Sequence, residues 1–114
     1  MSAPGTVVAL VRDLMDRSRF GALSSRGVQV HFVRDAPAVL EMLAEGDAAT
    51  TVVVDLAAPD ALEAIAGAAR APRAHRVVAF GSHVERDRLD RAHAAGAEVL
   101  ARSAFFARLD DLVQ

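Results

Sequence analysis

The chain has 114 residues, of which 53% are hydrophobic and 25% are charged, and its formal net charge at pH 7 is -2. These values favour one folded domain spanning residues 1–114 and argue against a nucleic-acid-binding protein, which usually carries a basic surface. The chain has no cysteine, and its 13 Lys and Arg residues are all arginine, so disulfides, thiolate metal sites and lysine chemistry are excluded. No apolar run reaches the roughly 20 residues of a membrane helix. The N-terminus does not resemble a signal peptide, and we therefore expect a cytoplasmic protein with no membrane partner.

Five short apolar runs rich in β-branched residues recur along the chain, and each predicts a strand. They cover residues 6–11, 28–33, 50–56, 76–80 and, more weakly, 98–100. The first and third runs are apolar at consecutive positions, which is typical of parallel strands covered by helices on both faces.

Helical spacing predicts a helix after each strand. The apolar positions are Leu14, Phe20 and Leu23; Val39, Leu40 and Leu43; Leu62, Ile65 and Ala69; Val84, Leu89, His93 and Ala94; and Phe105, Leu109 and Leu112. Pro37 and Pro59 fit first helical turns, and Gly46 and Gly96 fit helix ends. Strict alternation of strand and helix predicts an α/β fold of the (βα)₅, flavodoxin-like type, a three-layer sandwich with a parallel sheet of order 2-1-3-4-5.

Polar residues follow the predicted strands at the edge where such folds bind ligands. Because the carboxyl ends of parallel strands meet there, the topology brings these side chains into one pocket. The expected pocket residues are Arg12, Asp13, Asp55, Gly81, Ser82, His83 and Arg102, with Ser103 beside them.

Several of these positions resemble the receiver domain of two-component response regulators, and the resemblance covers nearly the whole chain. The segment Asp55-Leu56-Ala57-Ala58-Pro59 resembles the D-x-x-M-P motif after the third strand of receivers. Residues 93–100 resemble the Ala-x-x-Gly-Ala run before the fifth strand, and Asp13 matches the second acid after the first strand. The resemblance implies a CheY-like fold in which Asp55 accepts a phosphoryl group and Asp13 and Asp55 hold Mg²⁺. It also implies a protein partner or a homodimer that uses the fourth helix, fifth strand and fifth helix, the α4-β5-α5 face of receivers.

Other positions depart from the receiver pattern. Arg12 stands in place of an acid, Gly81 in place of a Thr or Ser with Ser82 next to it, and Arg102 in place of a Lys. A guanidinium at position 12 removes a metal ligand and adds a positive charge, and it could pair with Asp55 or Asp13. We therefore expect no cofactor or weak Mg²⁺ binding in a degenerate pocket.

Each candidate residue also has a structural interpretation. Asp55 is a candidate phospho-acceptor or a loop cap, and Arg12 is an internal counter-ion or a solvated side chain. Ser82 and Arg102 are candidate phosphate contacts, although a Gly-Ser turn is common for conformational reasons. His83 lies at the pocket rim, whereas His31, His75 and His93 have no metal-ligand spacing. Charges on the fourth helix predict i,i+3 and i,i+4 ion pairs. At least one of Phe105 and Phe106 should lie in the core, and the other, if exposed, would be an interface anchor.

Three functions remain open. The first is a stand-alone, non-enzymatic receiver-like signalling module that acts through protein contacts without conventional phosphorylation. The second is an atypical phospho-receiver whose only chemistry is phosphorylation and dephosphorylation of Asp55. The third is a small-ligand-binding flavodoxin-like domain. Three motifs that would support it are absent from the sequence: a glycine-rich loop after the first strand, a cobalamin Asp-x-His-x-x-Gly motif and a nucleophile elbow.

Overall fold

The computed structural model describes residues 5–45 and 49–113. Five strands and seven helices lie within these ranges. The strands are β1 (Thr6–Leu10), β2 (Gln29–Phe32), β3 (Thr50–Asp55), β4 (Ala74–Gly81) and β5 (Glu98–Ala101). The helices are α1 (Leu14–Ser18), α2 (Gly21–Ser25), α3 (Ala36–Ala44), α4 (Ala61–Arg70), α5 (Arg86–Ala94), α6 (Arg102–Ala107) and α7 (Leu109–Leu112). The strands form one parallel sheet in the order β2-β1-β3-β4-β5, so the predicted fold class and sheet order are confirmed.

Two cores cover opposite faces of this sheet. Val8 and Leu10 of β1 enter an aliphatic core under α3, α4 and α5. Val7 and Ala9 enter the other core, under α2, α6 and α7. Because successive residues of a strand point to opposite faces, a strand buried on both faces is apolar at consecutive positions, which is the pattern seen in the sequence.

The aromatic side chains lie almost entirely in the second core. Phe80 stacks on Phe105 with ring centroids 4.5 Å apart, and Phe106 contacts both Phe80 and Phe20 edge to face. Phe105 and Phe106 are both buried, so the core prediction is confirmed and neither ring is an exposed interface anchor.

The first and last predicted helices are each broken in two. The amides of Arg19 and Phe20 bond to carbonyls three residues back, which tightens the chain between α1 and α2. Phe20 is anchored in the aromatic core at this break, and Gly21, a poor helix former, begins α2. A similar break at Arg108 separates α6 from α7.

Three smaller predictions about helix boundaries have different outcomes. Pro37 lies in the first turn of α3 as predicted, but Pro59 precedes Asp60, the N-cap of α4, and is outside that helix. Val84 was predicted on the fourth helix but lies before α5 and is exposed. Gly96 follows α5 with φ of 115°, the left-handed conformation expected at a helix end, whereas Gly46 lies outside the described residues.

No helix in the described part of the chain combines the length and the apolar character needed to cross a bilayer.

Candidate functional site

The carboxyl ends of β1, β3, β4 and β5 open into one cleft of about 550 Å³. Three charged side chains that the sequence did not predict as pocket residues, Asp16, Glu85 and Arg88, also line it. The cleft brings together most of the predicted pocket residues: Asp13, Asp55, Gly81, Ser82, His83 and Arg102, with Ser103. This is the position at which open parallel sheets bind their ligands.

Asp13 combines a structural role with its place in the cleft. Its Oδ1 atom accepts hydrogen bonds from the backbone amides of Met15 at 2.8 Å and Asp16 at 3.1 Å, which makes Asp13 the N-cap of α1. An N-cap satisfies amides that the first helical turn leaves without partners. Half of the Asp13 carboxylate is therefore engaged with its own helix.

Arg102 and Asp16 form the strongest polar contact of the cleft. Nη1 of Arg102 donates to Oδ2 of Asp16 at 2.6 Å, and Nη2 donates to Oδ1, so the pair is bidentate. The Asp16 side chain is only 2% exposed, whereas that of Arg102 is 47% exposed. The Arg102 guanidinium also lies 5.5 Å from the centre of the Phe106 ring. The cation expected to contact a phosphoryl group is thus held by a buried carboxylate on α1.

Sequence reasoning missed Asp16, although the sequence carries a signal for it. The apolar spacing predicts Leu14 as the first inward-facing position of the helix that includes Phe20 and Leu23, but Leu14 is 77% exposed. The positions that face inward are 16, 20 and 23, which follow the i, i+4, i+7 spacing of one helix face. An acid on an inward-facing position needs a partner, and Arg102 supplies it.

Asp55 lies at the end of β3 and is half-buried. Its Oδ1 atom accepts a hydrogen bond from the backbone amide of Ala57 at 2.9 Å, which is a loop cap. Burial raises the pKa of Asp55 above its ordinary value, and the charges of Asp16 and Asp13 add to the rise. The Ala57 hydrogen bond and the charge of Arg102 act in the opposite direction. Asp55 thus lies close enough to Arg102 to be influenced by its charge, but the guanidinium donates its hydrogen bonds to Asp16 and not to Asp55.

Gly81, at the end of β4, leaves little room for a larger side chain unless Leu56 shifts by a few tenths of an ångström. A Cβ atom at this position would lie 3.2 Å from both Cβ and Cδ1 of Leu56, closer than ordinary van der Waals contact. Leu56 is buried, and its amide donates to the carbonyl of Phe80 at 2.9 Å. The residue after Asp55 thus occupies the space beside the position where the Thr or Ser was expected.

Ser82 and His83 are exposed residues that line the cleft after β4. The Ser82 hydroxyl accepts a long hydrogen bond, 3.4 Å, from the amide of Val84. This geometry matches the turn-forming interpretation of Ser82 and leaves its role as a phosphate contact a prediction.

Arg12 does not act as the internal counter-ion of the cleft. It is exposed and lies in a smaller depression of about 250 Å³ that it shares with Asp13 and Asp55. It forms no ion pair with either acid within the described residues. Of the two interpretations of Arg12, the solvated side chain matches the structure, and the arginine that pairs with an acid of the cleft is Arg102.

The face predicted for partner binding consists of α5, β5, α6 and α7. On and beside α5, Glu85 pairs with Arg88 and Asp87 pairs with Arg91, each at 3.2 Å, which confirms the predicted i,i+3 and i,i+4 pairs. On β5, Glu98 accepts two hydrogen bonds from Arg76, at 2.7 and 3.0 Å, and these lower the pKa of Glu98. The face thus carries charges that are mostly paired within the chain.

No protein-family profile and no curated protein sequence matches the chain. Solved structures do match it. Full-length FixJ from B. japonicum is 22% identical with a TM-score of 0.75, over 98% of this chain and 57% of that one. This chain therefore spans less than two thirds of FixJ.

Two further structures match over nearly their whole length. The receiver domain of a sensor histidine kinase from Pseudomonas aeruginosa, with a magnesium ion coordinated in its active site cleft, is 18% identical with a TM-score of 0.79, over 98% of this chain and 96% of that one. A response regulator from Hahella chejuensis is 20% identical with a TM-score of 0.78, over 96% and 92% of the two chains. Together with the sheet order and the cleft at the strand ends, these likenesses show that the chain has the flavodoxin-like fold of response-regulator receiver domains.

Proposed function

We propose that this chain is a two-component signalling module of receiver type that works in the cytoplasm through protein contacts. It is not phosphorylated in the conventional Mg²⁺-dependent way and has no turnover chemistry of its own. The observation that carries the proposal is the bidentate Arg102–Asp16 pair.

The pair removes two groups that phosphoryl transfer to Asp55 would use. Transfer to a carboxylate needs cations that neutralise the phosphoryl oxygens and hold them in position. The Arg102 guanidinium already spends two of its N–H donors on Asp16. Asp16 in turn has both oxygens engaged, and Gly81 offers no hydroxyl. Arg102 and Asp16 thus neutralise each other, and position 81 supplies no hydroxyl for a phosphoryl oxygen.

The carboxylates of the cleft do not fit a conventional Mg²⁺ site. Mg²⁺ prefers octahedral oxygen ligation and usually takes one or two carboxylates with several waters. Oδ1 of Asp13 is used by the α1 cap and Oδ1 of Asp55 by Ala57, which leaves one oxygen of each. Among residues 5–45 and 49–113, no group of three or more His, Asp or Glu side chains could hold a metal ion. Weak binding through Asp13 and Asp55 is the most that this donor set supports.

Protein contact is the remaining means of signalling for such a module. The beryllofluoride-activated NtrC4 receiver domain, 16% identical with a TM-score of 0.68, is a dimer. By analogy we propose that a partner protein or a second copy binds the face formed by α5, β5, α6 and α7. The exposed, mixed-sign charges of α5 suit a specific polar contact.

The proposal is tested by incubating the protein with acetyl phosphate and Mg²⁺ and measuring the intact mass. We expect no phosphoryl adduct on the wild-type chain. The matched variant carries Arg12→Asp, Gly81→Thr and Arg102→Lys, which restore the receiver pattern, and we expect it to gain an adduct that Asp55→Asn abolishes. An adduct on Asp55 of the wild-type chain would show instead that the protein is an atypical phospho-receiver. Failure of the restored variant would show that these three positions are not the cause.

A further inference from the structure

Arg88 connects α5 to the loop that follows Asp55. Its Nη1 atom donates a hydrogen bond to the backbone carbonyl of Leu56 at 3.0 Å, across 32 positions of sequence. Its Nε atom pairs with Glu85 at 3.2 Å, which directs the guanidinium toward that carbonyl. Arg88 lines the cleft and also the neighbouring depression between the β3–α4 loop and α5.

This contact is significant because the rest of α5 is weakly anchored. Ala92 is the one fully buried residue of α5, and Leu89 is only partly buried. Alanine contributes little apolar area, so packing alone fixes the position of α5 less firmly than it fixes α3 or α4. The hydrogen bond from Arg88, whose side chain is 52% exposed, adds a charge-assisted contact to this limited packing.

The other end of the contact is held by the Asp55 side chain. Asp55 caps the loop through the amide of Ala57, and Leu56 lies between these two residues. The Leu56 side chain packs against Gly81, which has no hydroxyl that could form a hydrogen bond between β4 and a group bound in the cleft. The carbonyl of Leu56 is therefore the point at which a change at Asp55 reaches α5.

We propose that Arg88 is a positioning residue that couples the conformation of the Asp55 loop to the position of α5. An event that loosens the loop releases α5 through this hydrogen bond, and a partner that moves α5 alters the loop by the same coupling free energy. The inference rests on the proposed function only in treating α5 as part of the docking face. The coupling itself exists in the isolated chain.

Hydrogen–deuterium exchange of the full chain, followed by mass spectrometry of α5 peptides, tests the coupling. Arg88→Ala should speed α5 exchange by about three- to tenfold, the effect of losing one such hydrogen bond. The matched control is Arg91→Ala, which also removes an arginine and an ion pair from α5 but no hydrogen bond to the loop. Arg88→Lys, which keeps a donor, should fall between wild type and Arg88→Ala. Peptides of β3 report whether each variant is folded.

The decisive comparison adds Asp55→Ala, which removes the acceptor for the Ala57 amide. In the wild-type background it should speed α5 exchange, and in the Arg88→Ala background it should add nothing there. Equal effects of Arg88→Ala and Arg91→Ala, or an Asp55→Ala effect that persists without Arg88, would overturn the inference. No phosphate or metal is present in this experiment, so its result is independent of the acetyl phosphate test.

Discussion

Replacing Arg102 by alanine is the most direct test of the buried ion pair. The variant leaves the Asp16 carboxylate, 2% exposed, without either of its donors. Removing one partner of a fully buried pair costs about 3–5 kcal/mol. The Arg102 side chain is 47% exposed, so water screens this pair and can enter beside Asp16 after the change. We therefore expect Arg102→Ala to lower the free energy of unfolding by about 2 kcal/mol, with a fall in Tm of about 8 °C.

The assay is urea unfolding followed by far-UV circular dichroism, because the chain has no Trp or Tyr to report by fluorescence. The matched control is Arg19→Ala, since Arg19 also lies over the Phe106 ring, at 4.0 Å, but forms no ion pair within the described residues. We expect that control to stay within about 0.5 kcal/mol of wild type. Asp16→Asn should cost less than Arg102→Ala, because a half-exposed guanidinium is solvated more readily than a carboxylate that is 2% exposed. An Arg102→Ala protein as stable as the control would refute the reasoning.

Two further predictions concern the cleft. Because burial raises the folded-state pKa of Asp55, its charge destabilises the fold above that pKa, and the penalty fades as the pH falls toward the ordinary carboxyl value. Asp55→Asn should therefore raise Tm at pH 7, with a gain that shrinks toward about pH 4, and a gain independent of pH would contradict this. Gly81→Ala should lower the free energy of unfolding by about 1 kcal/mol, since its Cβ would press on Leu56, and thermal melts showing an unchanged Tm would contradict the tight contact.

Much of the fold was predictable because it follows from two sequence patterns, one within each strand and one in the order of strands and helices. Consecutive apolar residues such as Val52, Val53 and Val54 mark a strand covered on both faces, and strict alternation with helices dictates parallel strands. The breaks at Phe20 and Arg108 were not predictable in the same way. They arise where the aromatic core fixes side chains from several elements at once, and tertiary packing there overrides helical propensity.

The candidate site was predictable in location and less so in its contacts. Topology places Asp13, Asp55 and Arg102 at one edge of the sheet, and the cleft brings them together. Which arginine pairs with an acid of the cleft depends on side-chain reach and burial, and neither can be deduced from the spacing of the strand ends. Arg12 lies two positions after β1 and is exposed, whereas Asp16, in the first turn of α1, is buried and therefore needs a cationic partner.

The Arg102–Asp16 pair also has a consequence for folding kinetics. Its residues lie 86 positions apart, in the first and last βα units, so the contact closes only after β5 and α6 have docked on the sheet. A contact that forms after the folding barrier stabilises the native state without lowering that barrier. We therefore expect the ion pair to slow unfolding and to leave the rate of folding nearly unchanged.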